Sequence, residues 1–130
     1  MKEWSNSWKG SKNKDKQIKY AKNAPLHKKR KFMAATLSKE LRKKYGKRSM
    51  GVRKDDKVKM MRGQFRKVTG KVTDIDTMRQ KIYVEGVELI KKDGSKAPYP
   101  VHPSNAMITE LNMDDKKRRR ITERKGKGAK

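Results

Sequence analysis

The sequence has no cysteine, no long apolar run and few acidic residues. The missing cysteines exclude disulfide bonds, thiolate zinc sites and cysteine catalysis together. No stretch approaches the roughly 18 apolar residues that a membrane-spanning helix requires, and the first residues lack the apolar segment of a signal peptide. With 14 acidic residues against 39 lysine and arginine residues, the net charge is +25 over 130 residues. We therefore expect a cytoplasmic protein that has no membrane partner.

The basic excess is concentrated at the two ends of the chain. Residues 1–51 carry +14, residues 52–112 only +5, and residues 113–130 carry +6. Only 32% of the residues are hydrophobic, which suffices for one small core but not for burying the whole chain. Because a compact domain of this charge repels itself, it needs a polyanion, and nucleic acid is the commonest polyanion in cells. The composition predicts a nucleic-acid-binding protein.

Residues 1–35 are predicted to form a basic extended arm. Their composition buries too little apolar surface to offset the entropy lost on ordering. One dense cationic block within the arm consists of His27, Lys28, Lys29, Arg30 and Lys31. The aromatic residues of the segment, which are Trp4, Trp8, Tyr20 and Phe32, either stack on exposed bases or pack against the folded domain. We expect removal of residues 1–35 to weaken RNA binding and to leave unfolding of the domain nearly unchanged.

Residues 36–51 are predicted to contain one short helix and a linker. Apolar side chains recur at a spacing of four, at Leu37, Leu41 and Tyr45. Ser38 or Thr36 can cap the start of this helix, and Gly46 can end it. Its other faces are basic and point to phosphate or water.

Residues 52–112 show the alternation and turn signals of a β domain. Strands are predicted at 57–61, at 71–75 with a bulge between Val72 and Ile75, at 81–84 together with Gly86-Val87, and at 106–111. A hairpin turn at Asp93-Gly94 is predicted to join 87–90 to a stretch that ends at Tyr99-Pro100-Val101. About five short strands in this length indicate a mainly β fold, a small and strongly bent barrel. Residues 113–130 are predicted to form a basic helix and tail, with the helix beginning at Asp114 or Asp115.

The strongest local signal is the basic loop, residues 62–72. Two glycines, Gly63 and Gly70, stand seven apart in it, and Gly70 is expected to need either a positive φ or a close backbone approach. The cations of the loop are Arg62, Arg66, Lys67 and Lys71. On a constrained loop such side chains lose little entropy when they meet phosphate. An ordinary hairpin loop with solvated charges explains the same spacing equally well.

Catalysis and metal binding find little support. The two histidines, His27 and His102, stand in a basic block and before a proline, and neither belongs to a recognisable catalytic constellation. Asp74 and Asp76 share one face of a predicted strand, where a solvated face near basic residues is favoured over a metal site. We expect neither an enzyme nor a cofactor nor a bound metal.

The basic loop resembles a KOW motif, the glycine-centred strand-loop-strand of several ribosomal and transcription-elongation proteins. The flanking sequences are more telling, namely "NAPLHKKRKFMAATLSKELRKKYGKRSMGVRKDDKVKMMRG" before the loop and "VEGVELIKKDGSKAPYPVHPSNAMITELNMDDKKRRRITERK" after it. They resemble the archaeal and eukaryotic branch of the large-subunit ribosomal protein twenty-four family. The resemblance runs from about Asn23 to Lys125.

This resemblance implies an SH3-like barrel that binds large-subunit ribosomal RNA, acts early in subunit assembly and lies near the nascent-chain exit tunnel. Neighbouring ribosomal proteins and nascent-chain factors are then the expected protein partners. The loop residues match the family, as do the segments 53–56 and 102–105, but many members have glycine where this chain has Lys67.

The predicted rRNA-binding residues are His27, Lys28, Lys29, Arg30, Lys31, Arg48, Arg53, Lys54, Arg62, Gly63, Arg66, Lys67, Gly70, Lys71, Arg118, Arg119 and Arg120. We expect these residues to contact mainly phosphates and to recognise the RNA by its shape, because A-form RNA hides most base edges in a deep, narrow groove. The alternatives are a KOW-type transcription-elongation protein and an RNA chaperone or assembly scaffold that leaves the mature particle.

Overall fold

The computed structural model describes residues 3–124. After a 3-10 turn at Asn6–Gly10, the helices are α1 (Lys14–Lys22), α2 (Leu26–Phe32), α3 (Lys39–Tyr45) and α4 (Lys116–Glu123). The strands are β1 (Ala34–Leu37), β2 (Ser49–Gly51), β3 (Lys57–Met60), β4 (Thr69–Asp76), β5 (Lys81–Val84), β6 (Glu88–Ile90), β7 (Lys96–Pro98) and β8 (Ala106–Glu110). A second 3-10 turn, Pro103–Asn105, leads into β8. Residues 3–124 thus form a sheet-rich structure with four helices, which is consistent with the predicted small, mainly β domain.

Six strands form one sheet in the order β2-β1-β8-β3-β4-β5, and β6 and β7 form a separate hairpin. All pairs are antiparallel except β1 and β8, which run parallel. The register of β4 against β5 shifts between Val72 and Asp74, so the predicted bulge is confirmed. Ile82 of β5 also exchanges two backbone hydrogen bonds with Val101, at 2.8 and 2.9 Å, which ties the end of the sheet to the segment before β8.

The core is built mainly from strands of the six-stranded sheet. Its most deeply buried apolar side chains come from β1, β3, β4, β5 and β8, and they are Leu37, Val58, Met60, Val72, Ile82 and Ile108. In β1, β3 and β5 buried residues alternate with half-buried ones, as expected where one face of a strand packs on a core.

The strands predicted within residues 52–112 are all present, with ends that differ by at most three residues, and the hairpin turns at Gly94 with a φ of +82°. The sheet nevertheless extends beyond the predicted barrel segment, because β1 and β2 precede residue 52. Both strands are short, and β1 offers only alanines, a threonine and Leu37 as a hydrophobic signal. Leu37 was assigned to the predicted helix, whereas it ends β1 and is fully buried.

Helix ends follow the expected chemistry. The Ser38 hydroxyl accepts a hydrogen bond from the Leu41 amide at 3.3 Å, and Gly46 ends α3 in the left-handed region with a φ of +61°. The Asp115 carboxylate caps α4 by accepting from the Lys117 amide at 2.7 Å. The predicted starts of both helices are confirmed. Residues 125–130, which were assigned to the basic tail, lie outside the described residues.

The described part of the predicted extended arm is mostly helical, which corrects the expectation for residues 1–35. Asn13 caps α1, and Tyr20 from α1 packs between two other aromatic rings of the segment. Its ring stacks on Trp4 at 5.7 Å between centroids and meets Phe32 at 5.8 Å. Trp4, Tyr20 and Phe32, three of the residues that were read as either base-stacking or packing groups, therefore pack on one another. This small cluster orders a segment whose average composition suggested an open chain.

Met33 and Ala35 belong to the main core, with 3% and 1% of their surface exposed. Removal of residues 1–35 would take these two core residues with it, which argues against the expectation that the domain would unfold nearly unchanged. None of the helices within residues 3–124 is both long and apolar enough to cross a membrane.

Candidate nucleic-acid interface

Residues 61–68 join β3 to β4 and are held by their own backbone, while Gly70 and Lys71 at the end of the basic loop lie in β4. The amide of Met60 donates to the Val68 carbonyl at 2.8 Å, and the Lys67 amide donates back to the Met60 carbonyl at 2.9 Å. Two further turns are closed by bonds from Arg66 to Gly63 and from Val68 to Phe65, each at 3.1 Å. The loop is therefore constrained along its length.

Gly70 is required by a close backbone approach, one of the two alternatives predicted for it. A Cβ at this position would stand less than 3.0 Å from the carbonyl oxygen of Glu85, which directly follows β5. The φ of Gly63 is +83°, in the region that favours glycine. Lys67, which stands where many family members have glycine, keeps a glycine-like φ of +76°. The departure at this position therefore leaves the loop conformation glycine-like.

The four cations of the basic loop are exposed and without acidic partners. Arg62, Arg66, Lys67 and Lys71 lie at the surface. No carboxylate within residues 3–124 forms an ion pair with any of them. Their charge is thus left for a partner from outside the chain.

Other predicted cations are partly neutralised by the protein itself. Arg53 pairs with Asp115, and Lys54 pairs with Asp74 at 2.7 Å. The hydrogen bond from Lys54 is the largest cause that holds the pKa of Asp74 below its usual value. The pKa of Asp115 is also lowered, first by the hydrogen bond from the Lys117 amide and then by Arg53. Both basic side chains remain exposed.

Arg118 is not available to RNA, which corrects its place among the predicted contacts. Its guanidinium is 2% exposed and forms a two-pronged ion pair with the fully buried Asp56, at 2.5 and 2.6 Å. It also donates to the carbonyls of Asn112 and Gly51. Asp56 accepts in addition from the backbone amides of Arg53 and Asn112. A phosphate would have to displace a buried carboxylate to reach this arginine.

Lys29 is the second residue that the structure removes from the predicted RNA contacts. It is 8% exposed, and its ammonium donates to the Met78 carbonyl at 3.3 Å. The other members of its block differ, because His27, Arg30 and Lys31 are exposed and Lys28 is half-buried. Sequence alone could not separate these neighbours, since a seven-residue helix buries one side and exposes the rest.

The fold brings the cationic block close to the first strand of the predicted barrel. Arg30, Arg53 and Lys54 line one open cavity of about 610 Å³. Asp114 and Asp115 line it too, so the cavity has mixed charge and suits phosphate less well than the basic loop does. The remaining predicted cations, Arg48, Arg119 and Arg120, are exposed.

His102 and the paired aspartates serve local structure. The Nδ1 of His102 accepts from the Ser104 amide at 3.3 Å and lies 2.8 Å from the Ser104 hydroxyl, which caps the second 3-10 turn. Burial, and then the charge of Lys81, lower the pKa of His102. Asp74 pairs with Lys54, and Asp76 accepts from the Arg79 amide at 3.0 Å. Across residues 3–124, no three metal-ligating side chains come together as a metal site would require.

Comparison with known proteins agrees with the resemblance drawn from the loop and its flanks. Residues 11–125 match the family described as the eukaryotic ribosomal proteins L26 and the archaeal ribosomal proteins numbered twenty-four. The large ribosomal subunit protein uL24 of Korarchaeum cryptofilum (strain OPF8) is similar, with 48% identity over 111 residues that cover 85% of each chain. The family consists of structural rather than catalytic proteins of the cytoplasmic ribosome. The chain belongs to this family of large-subunit ribosomal proteins.

Proposed function

We propose that the protein binds large-subunit ribosomal RNA directly and that the basic loop is its main contact. The observation that carries this proposal is the set of four exposed loop cations without an acidic partner. The loop backbone is closed by its own hydrogen bonds, so the cations are presented at little entropic cost. Contacts from such side chains go chiefly to phosphate and fix the position of the protein on the RNA.

The proposed RNA surface comprises the predicted residues other than Lys29 and Arg118. It consists of His27, Lys28, Arg30, Lys31, Arg48, Arg53, Lys54, Arg62, Gly63, Arg66, Lys67, Gly70, Lys71, Arg119 and Arg120. The cations of α2 and α4 extend the contact to neighbouring RNA helices. The proposal also includes early action in subunit assembly and a position near the exit tunnel. Its protein partners there are neighbouring ribosomal proteins and nascent-chain factors. These last parts rest on the family resemblance.

We also propose that the six-stranded sheet is an SH3-like barrel. Support comes from the pairing of Ile82 with Val101, which links one end of the sheet back to the chain entering β8. In this arrangement the basic loop lies at one end of the barrel, between two adjacent strands.

The experiment measures binding of the purified chain to large-subunit rRNA by filter retention. A loop variant, Arg62→Gln with Arg66→Gln and Lys71→Gln, is compared with a control that carries Lys91→Gln and Lys92→Gln near the hairpin turn. The loop variant is expected to lose at least tenfold in affinity, and the control to lose much less. Equal losses in the two variants would contradict the proposal, because they would indicate diffuse attraction of a basic protein to RNA.

Residence in the mature subunit is tested separately by sucrose-gradient sedimentation. A resident protein stays with the large subunit after a high-salt wash, whereas an assembly scaffold or a transcription-elongation protein sediments apart from it. Release of the whole population from mature subunits would favour these alternatives.

A further inference from the structure

A small cleft opens beside the basic loop, where the loop meets the segment that follows β7. The residues that matter in this loop cleft are Arg62, Gln64, Phe65, Lys81, Tyr99 and His102. Its volume is about 180 Å³, much smaller than the cavity near Arg53. The cleft therefore has room for one flat ring system rather than for a peptide or a helix.

Two aromatic rings form one wall of the loop cleft. Phe65 and Tyr99 lie 5.3 Å apart between centroids, with their planes inclined at 49°. Tyr99 is 37% exposed, while Phe65 is half-buried and packs against the main core. The Tyr99 amide donates to the Val87 carbonyl at 2.9 Å, and the Phe65 carbonyl accepts from Val68. Both rings are thus held on fixed backbone, with part of the tyrosine ring left open to solvent.

The polar groups of the cleft are unused within the protein. Across residues 3–124, the side chains of Arg62, Gln64 and Lys81 and the Tyr99 hydroxyl take part in no hydrogen bond or ion pair. The Nδ1 of His102 accepts from the Ser104 amide, so the neutral imidazole carries its proton on Nε2 and has one donor left. An apolar partner would have to desolvate two cations here at considerable cost.

We propose that the loop cleft binds a single unstacked base of the rRNA, with Tyr99 as its stacking platform. Arg62 and Lys81 then meet the phosphates on either side of that nucleotide, and Gln64 and His102 supply hydrogen bonds to the base edge. Sequence-specific recognition of RNA uses such splayed bases on aromatic side chains, because paired regions hide their edges. This inference rests on the proposed function and adds a contact to one base where the basic loop itself contacts phosphate.

The test compares Tyr99→Ala and Tyr99→Phe with wild type on naked large-subunit rRNA. Affinity is measured by filter retention, and chemical alkylation of base edges reports which nucleotides are covered. Tyr99→Ala is expected to lose about tenfold in affinity and to uncover one nucleotide, since stacking of this kind contributes about that much per base. Tyr99→Phe keeps both properties. Tyr45→Ala, which removes a half-buried tyrosine from α3, changes neither.

A second arm keeps the result independent of any effect on folding. The nucleotide uncovered by Tyr99→Ala is replaced by an abasic one in a synthetic rRNA fragment. Wild type is expected to bind this fragment with about tenfold lower affinity than the unmodified fragment, whereas Tyr99→Ala should bind both fragments with equal affinity. Lys81→Gln, which leaves the aromatic pair intact, lowers affinity on both fragments.

The outcomes separate the two proposals. Failure of wild type to bind rRNA in preference to unrelated RNA would overturn the proposed function. If wild type binds but Tyr99→Ala covers the same nucleotides with the same affinity, the base site is wrong. Unchanged binding to naked rRNA together with faster loss of Tyr99→Ala from assembled subunits would assign the cleft to a protein neighbour, which also overturns the base site.

Discussion

Lys67 holds a backbone conformation that glycine adopts more easily. Its φ of +76° places a side chain in the left-handed region, which costs about 1–2 kcal/mol for an ordinary residue. Glycine removes that strain but adds about 0.5–1 kcal/mol of chain entropy to the unfolded state. We therefore expect Lys67→Gly to raise the free energy of unfolding by about 0.5–1 kcal/mol, as measured by urea denaturation.

Lys67→Ala is the matched control for this change. It removes the same charge but keeps the strained φ, so its stability should equal that of wild type. Both variants lose one loop cation and should weaken RNA binding equally. If alanine stabilises the protein as much as glycine does, repulsion between the loop cations rather than backbone strain is the cause.

Gly70 faces a different constraint, which predicts a larger effect. A Cβ there meets the Glu85 carbonyl just after β5, and the Glu85 amide donates to the Lys71 carbonyl, so the backbone on either side cannot move without disturbing the pairing of β4 with β5. Gly70→Ala is expected to lower stability by on the order of 3 kcal/mol or more. Gly63→Ala has open space around its Cβ and only the φ penalty, so about 1 kcal/mol is expected. Thermal unfolding of both variants checks the ranking, and equal losses would contradict it.

The structural role of the glycines in the basic loop was predictable from the sequence, because a backbone position that disfavours a Cβ selects glycine at that position. It did not show which cations are free. Arg118, Arg119 and Arg120 are consecutive and chemically identical, yet only the first turns inward. Its partner Asp56 lies 62 positions away in the chain. Such a pairing depends on tertiary contact, which no local pattern records.

At the scale of elements, α4 is anchored to the sheet by the pair of Arg118 with Asp56. Loss of the arginine leaves a buried carboxylate with only two backbone amides for partners. Breaking a buried ion pair from one side costs about 3–5 kcal/mol. We expect Arg118→Ala to lose about this much stability and to release α4, with faster amide hydrogen exchange in residues 116–123.

Arg120→Ala is the neighbouring control. Its side chain is exposed, so stability and exchange in α4 should stay near wild type, while RNA affinity falls modestly. The reverse pattern, with a stable Arg118→Ala protein and a destabilised Arg120→Ala protein, would mean that α4 docks in another orientation.

The N-terminal segment consists of two parts with different consequences for stability. Tyr20 packs with aromatic residues of the same segment and lies outside the main core, whereas Met33 and Ala35 lie within it. Deletion of residues 1–24 should therefore lower the unfolding temperature only modestly. Deletion of residues 1–35 also removes half of β1 and should abolish cooperative unfolding. Circular dichroism melts of both truncations check this, and a cooperative transition in the longer deletion would place β1 outside the fold.

Elements with strong periodicity or turn chemistry were predictable, among them α3, the β6–β7 hairpin and β8. The elements that were missed lack such signals. The helices α1 and α2 are rich in lysine, and the average polarity of their segment concealed the contacts among Trp4, Tyr20 and Phe32. β2 has three residues and is placed by pairing with β1 and by burial of Met50 in the core. Long-range packing, rather than local preference, decides the conformation of these parts.

The whole molecule is a domain whose charges are paired in some places and left open in others. Asp56, Asp74 and Asp115 form ion pairs with basic residues near the first strand of the predicted barrel and in α4. The basic loop, in contrast, keeps all four cations unpaired within residues 3–124. The net charge of +25 therefore acts on RNA through a defined surface more than through its total. Such a surface should release a countable number of counterions when it meets RNA.

Salt dependence of RNA binding measures that count. If roughly 6–10 phosphates are neutralised, raising salt from about 50 to 200 mM should weaken wild-type binding by about 10³-fold or more. The loop variant with Arg62→Gln, Arg66→Gln and Lys71→Gln should show a slope of log affinity against log salt that is shallower by about 2 to 3. The variant with Lys91→Gln and Lys92→Gln should keep nearly the wild-type slope, although it loses two positive charges against three in the loop variant. Parallel slopes for all three proteins would mean that the loop cations contact no phosphate, which would contradict the proposed role of the basic loop.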